Sequence, residues 1–269
     1  MRQFYIGLLI AALGVPAIAR SVPAQSKQAS PAPSPNPSAS SSNAFDPRDL
    51  SGVWMQDRPR PGSVLERYWI YELTLEEPPM TAWGLAQFKA AKSSYGTHAY
   101  PIAELNDPLY HACTPPGFPR AYLHAFPIQI VQSPTAVIVL FEWDSLRHQI
   151  FTDGRAHDTA LGPLWMGDAI GHWDGNTLVA DTVNFNDKTW LDRIGHPHSD
   201  ALHVIEHIRR VDRDHLEDEI TIDDPKAYTK PWTGKIIFAL KPKWTLSEEF
   251  CEDIRSFDSL EEQETTPAK

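Results

Sequence analysis

The chain has 269 residues, a formal net charge of −11 and two cysteines. The acidic balance argues against nucleic acid and anionic membrane surfaces as partners, since both reward basic patches. It leaves neutral, apolar or cationic small molecules as the expected ligands.

Met1 to Ala19 reads as a secretory signal, with Arg2 ahead of the apolar run Phe4–Val15 and Ala17-Ile18-Ala19 as a small-residue cleavage pattern. That run is too short to favour a membrane-spanning helix, so no membrane insertion is expected after cleavage, and the mature protein is expected to be periplasmic or secreted. Residues 20–43 are dominated by Ser, Pro and Ala and read as a disordered spacer. One folded domain is expected over 44–257, followed by an acidic tail at 258–269. An exported protein meets oxidising conditions, so a Cys113–Cys251 disulfide is as plausible as two buried thiols.

The domain opens with Leu50-Ser51-Gly52-Val53-Trp54. A Gly-x-Trp at the start of the first strand resembles lipocalin-like barrels, in which the Trp closes the barrel floor. Tyr68–Leu75 alternates as a strand. Thr81 is placed to cap a helix from Ala82 to about Lys92 that packs Trp83 and Phe88 inward. The Pro-rich loop around Cys113–Arg120 is long and rigid, as loops that cover a pocket mouth are.

Phe126–Val131 and Ala136–Trp143 form a hairpin turned at Ser133-Pro134, and Arg147–Thr152 adds a strand. A second hairpin turns at Asp174-Gly175-Asn176, the strongest short-range hairpin signal in the chain. Two turn positions are possible there. One sets Asp168 opposite Asp181; the other sets Ile170 opposite Asp181. Both put the two aspartates on one face, which also carries Ile170, Val179, Val183 and Phe185 and is therefore read as the inner face. Leu202–Val211 and His215–Ile222 pair through a loop at Asp212-Arg213-Asp214. A three-residue loop turns Glu206 inward among aliphatic residues and His203 and His207 outward. Lys235–Lys241 and Trp244–Cys251 supply the last strands. The sum is about ten strands: an all-β antiparallel meander closed as a barrel.

Carboxylates on an apolar face are costly unless paired, protonated or bound. Asp168, Asp181 and Glu206 are therefore the candidate acids. His198 and Asp200, on the loop entering the Glu206 strand, are the candidate proton-transfer partners at the barrel mouth. Trp165, His172, Phe185 and Trp190 are the candidate ligand contacts. Eight of the eleven histidines lie between His148 and His215. On a strand, however, His203 and His207 stand about 13 Å apart, too far for one ion. A metal reading would fall back on His196, His198 and Asp200, and His196 reads more simply as a surface histidine. No metal and no cofactor are expected.

Five stretches together resemble a family of exported bacterial proteins. They are Pro79–Gly84, Cys113–Arg120, Trp165–Asp168, Gly171–Val179 and His198–His203, and the resemblance spans nearly all of residues 49–252. It implies export and brings no activity with it. The functional expectation is an enzyme that moves protons on a small, largely apolar or aromatic molecule without a redox cofactor. The rival expectation is a lipocalin-like carrier that holds such a molecule unchanged, and a third is a structural envelope protein.

Overall fold

The computed structural model describes residues 45–57, 71–96 and 99–251. The signal peptide, the spacer, the acidic tail and the first part of the Tyr68–Leu75 strand lie outside the described residues.

Nine strands close into a single barrel in which each pairs with the next and the last returns to the first. They are β1 Gly52–Gln56, β2 Ile128–Gln132, β3 Ala136–Phe141, β4 Arg147–Phe151, β5 Asp168–Asp174, β6 Thr177–Val183, β7 His203–Arg210, β8 His215–Asp223 and β9 Trp232–Leu240. All neighbours are antiparallel except β4 and β5, which run parallel with Ile150 beside Ala169. The antiparallel meander read from the sequence is interrupted there. Asp153-Gly154 does not reverse the chain into the next strand. Instead, residues 152–167 cross over, because a parallel pair needs a connection of that length.

The β5–β6 turn is Gly175-Asn176, with Asp174 opposite Thr177 and Ile170 opposite Asp181. Gly175 takes φ +56°, the left-handed value that a tight hairpin demands of its first central residue. The β7–β8 register sets Glu206 opposite Ile220, as the three-residue loop requires.

Inward positions are aliphatic or aromatic with few exceptions: Trp54, Ile130, Val139, Ile150, Leu178, Val204, Ile220 and Phe238 are all buried. At one end, Trp54 is fully buried, donates from Nε1 to the Leu50 carbonyl, and lies under the Arg210 guanidinium. At residues 118–123 the Pro-rich segment turns into the barrel and plugs it with Phe118, Tyr122 and Leu123.

Among the described residues, two α-helices lie outside the barrel. In α1, Ala82–Ala90, the Thr81 hydroxyl accepts from the Gly84 amide. In α2, Pro108–Ala112, the Asp107 side chain caps the Leu109 amide. Gly84 is the contact of α1 with the barrel side: a Cβ there would meet the Ala227 carbonyl oxygen at 2.2 Å. Two expected strands are absent among the described residues. Residues 71–75 and 244–251 are irregular apart from an isolated bridge at Glu249. The second of these stretches is held instead by side chains. Glu142 accepts from the Ser247 amide, Asp144 accepts from the Cys251 amide, and Cys113 and Cys251 are disulfide-bonded.

Candidate functional site

The five expected catalytic residues fall in three separate places. Asp168 and Asp181 do share a face, but it is the outer one. Leu178, Ala180 and Thr182 line the interior, while the Asp181 side chain is 44% exposed. Two features disguise this. Phe185 is buried but lies beyond β6, after Asn184 at φ +63°, so its burial does not report the face of the strand. Asp168 is buried by the crossover, whose Asp158 amide and His157 ring both bind Asp168 Oδ2 at 2.9 Å. His157 reaches on to Asp181 Oδ1 at 3.3 Å, and His203 meets the same oxygen at 2.8 Å. The inward-facing carboxylate pair is thus corrected to a half-open surface chain of two aspartates and two histidines. Among the described residues no group of His, Cys, Asp and Glu is arranged to hold a metal ion.

Glu206 does face inward and is fully buried. It accepts from the Tyr122 hydroxyl at 3.2 Å and meets His148 Nε2 at 2.9 Å, with Phe118 stacked on that imidazole. Asp218 joins it from β8. Burial first, and the Glu206 charge second, push Asp218 well above the usual carboxylate range. Asp218 is thus displaced toward its neutral form inside a plugged barrel. Tyr122 and His148 satisfy Glu206, while both carboxyl oxygens of Asp218 are buried without a hydrogen-bond partner.

The loop after β6 forms the third place. His196 is not a surface residue: it is 1% exposed, stacked on Phe88, and bound through Nδ1 to Asp192 Oδ2 at 2.5 Å. Burial opposes its charge, but Asp192 outweighs burial and raises the imidazole to about 10. His198 is also buried, and burial pushes its pKa down. Its Nδ1 donates to the Ser199 carbonyl at 3.1 Å, which leaves Nε2 to accept from the Thr189 hydroxyl at 2.7 Å. His198 and Thr189 line a cavity of about 290 Å³ with Trp83, Lys188 and Trp190. Asp200 is exposed and does not join them. Of the expected ligand contacts only Trp190 lines a described cavity. Phe185 is core, His172 is exposed, and Trp165 is half-buried under the Lys188 ammonium.

A smaller cavity, about 170 Å³, lies between α2, the plugging segment and the disulfide. Its walls include Leu109, Phe126, Trp143 and Tyr95, and Cys251 closes one side. Four buried nitrogens on residues that line it have no hydrogen-bond partner: Arg120 Nε, Arg193 Nε, His124 Nε2 and Trp143 Nε1. The terminal nitrogens of Arg120 are taken by Asp107, at 2.9 and 2.5 Å. Arg193 stacks on Tyr95, with 3.9 Å from guanidinium carbon to ring centre, and donates to its hydroxyl. His124 lies parallel to Trp143, and burial, reinforced by both arginines, pushes its pKa well below the ordinary value.

Compared with known protein families, curated proteins and solved structures, the chain has no match. The resemblance to an exported bacterial family therefore assigns no membership, while the closed barrel it shares with lipocalin-like folds stands on the strand pairing itself.

Sequence reasoning did not find the 170 Å³ cavity. Its residues come from positions 95, 107–126, 143, 193 and 251, far apart in the chain, with the last of these tied to Cys113 by the disulfide. The one available signal was the Pro-rich loop with a terminal Arg, whose length already suggested a cover over a pocket.

Proposed function

We propose that the protein is an exported carrier that holds one small, largely apolar or aromatic molecule in the cavity beside the disulfide. The observation that carries this reading is the set of four unpartnered buried nitrogens around one mostly apolar space. Each such atom costs about 1–3 kcal/mol if left unsatisfied, and native folds tolerate few of them. Ligand sites combine apolar walls with a few convergent polar groups in this way. The volume is close to that of an engineered cavity of about 150 Å³ that takes benzene. One ring with a small polar substituent is the size that fits.

Titration with single-ring aromatic compounds, read by tryptophan fluorescence and by thermal shift, tests the reading. Trp143 lines the cavity and supplies the optical signal. At a hundred times its dissociation constant a bound compound adds about 2.7 kcal/mol of stability. Ala125 is exposed at the cavity edge, so Ala125→Trp should block entry and remove the response without unfolding the protein. No saturable response across the series, or one that survives Ala125→Trp, defeats the reading.

A second, catalytic reading rests on Thr189 and His198. A hydroxyl bonded at 2.7 Å to an imidazole that is oriented through its other nitrogen has the arrangement of an activated nucleophile or general base. Under this reading His198→Gln abolishes turnover of a small ester while thermal stability stays close to wild type. Unchanged turnover removes it.

A further inference from the structure

We infer that the molecule held in the cavity beside the disulfide is a monoanion, a one-ring carboxylate whose head group sits against Arg193. This rests on the carrier reading and names the chemistry of its ligand.

The charges around the cavity carry the inference. Arg120 and Asp107 form a buried bidentate pair that cancels within itself. Arg193 has no such partner: among the described residues no carboxylate pairs with it, and its polar contact is the neutral Tyr95 hydroxyl. A guanidinium stays charged at any pH at which the fold persists, so the cavity wall holds one uncompensated positive charge. A buried charge calls for a counter-charge. The unpartnered atoms agree in kind. Arg120 Nε, Arg193 Nε and Trp143 Nε1 can only donate, and neutral His124 can present a third type of N–H through Nε2. Among the described residues, no buried side-chain oxygen without a partner belongs to a residue lining this cavity. A ligand matching that set brings acceptors and one negative charge.

Carboxylate fits better than a dianion such as phosphate, because Asp107 also lines the cavity and would repel a second negative charge. The rest of the wall sets the body of the ligand. Leu109, Phe126 and the stacked His124–Trp143 pair offer flat apolar surface, which suits an aromatic ring. The net charge of −11 pointed the sequence reading toward neutral or cationic ligands. The uncompensated charge of Arg193 inside an acidic protein reverses that expectation at this one place.

The test compares benzoate with benzamide, a neutral isostere of nearly the same shape, by isothermal titration of the full-length, disulfide-bonded protein. Benzoate should bind roughly tenfold or more tightly than benzamide, as a charge-assisted pair requires. Arg193→Gln should erase that ratio by weakening benzoate far more than benzamide. Arg193 packs between Tyr71 and Tyr95, so the comparison on the wild-type protein stands by itself if the variant does not fold. Equal affinity for the two compounds overturns the anion inference and leaves the carrier reading intact. Binding of neither overturns both.

Discussion

Glu206 and Asp218 share the barrel interior with Tyr122 and His148, and no charged Lys or Arg is bonded to either carboxyl among the described residues. Because burial and Glu206 raise Asp218 in the folded state, its contribution is fully present below the unfolded carboxylate pKa. It is lost as pH rises toward the higher folded value. Each pH unit in that interval costs about 1.4 kcal/mol. Asp218→Asn should therefore gain stability relative to wild type between pH 4 and pH 8, as measured by urea denaturation across that range. A difference that does not change with pH would show that Asp218 is ionised in the fold. Asp181 lies at the other extreme, half exposed on the outer face, where ion pairs are worth about 1 kcal/mol or less. Asp181→Asn should change stability by no more than that and leave ligand binding at the disulfide-side cavity unaltered. Glu206 was legible in the sequence because the aliphatic pattern of two paired strands fixed its parity. The face of Asp181 was not legible, because the left-handed Asn184 breaks the parity between β6 and Phe185.

Among the elements, the hairpins show how far local pattern reaches. Turn chemistry located β5–β6 and β7–β8, and in the second the aliphatic pattern of the two strands selected the register. The Thr81 cap located α1. Pattern failed where tertiary contacts hold irregular backbone, as in the crossover before β5 and the segment ending at Cys251. That segment is fixed by Glu142, Asp144 and the disulfide rather than by a ladder. Replacing both cysteines by serine should cost about 2–4 kcal/mol in chemical denaturation and should also weaken ligand binding, since Cys251 is part of the cavity wall. Loss of stability with unchanged affinity would detach the disulfide from the site. The loop between β6 and β7 carries its own pH signature. His196 is raised to about 10 by Asp192 against the opposing effect of burial, so its ion pair contributes fully below the ordinary histidine value and is lost as pH rises through 10. Relative to His196→Phe, wild type should lose stability between pH 7 and pH 10, a trend that thermal melts would reveal. A flat difference over that range would mean the imidazole is neutral in the fold.

At the scale of the whole molecule, the barrel does not enclose the described cavities. The Pro-rich segment fills it with Phe118 and Tyr122, and Tyr122 and His148 are bonded to Glu206 inside it. The space available to a ligand lies on the far side of that same segment, where Arg120 faces away from the plug and α2, Arg193 and the C-terminal stretch complete the wall. A barrel was legible because closure depends on short-range pairing. The cavity was not, because it is assembled from five separated stretches of chain. Diffraction from crystals soaked in 4-iodobenzoate tests the central claim most directly, since anomalous scattering places the iodine without reference to the rest of the structure. The account predicts an iodine peak between Leu109, Phe126 and Trp143, with the carboxylate turned to Arg193. A peak confined to the cavity lined by Trp83 and His198, or none within the protein, would contradict it.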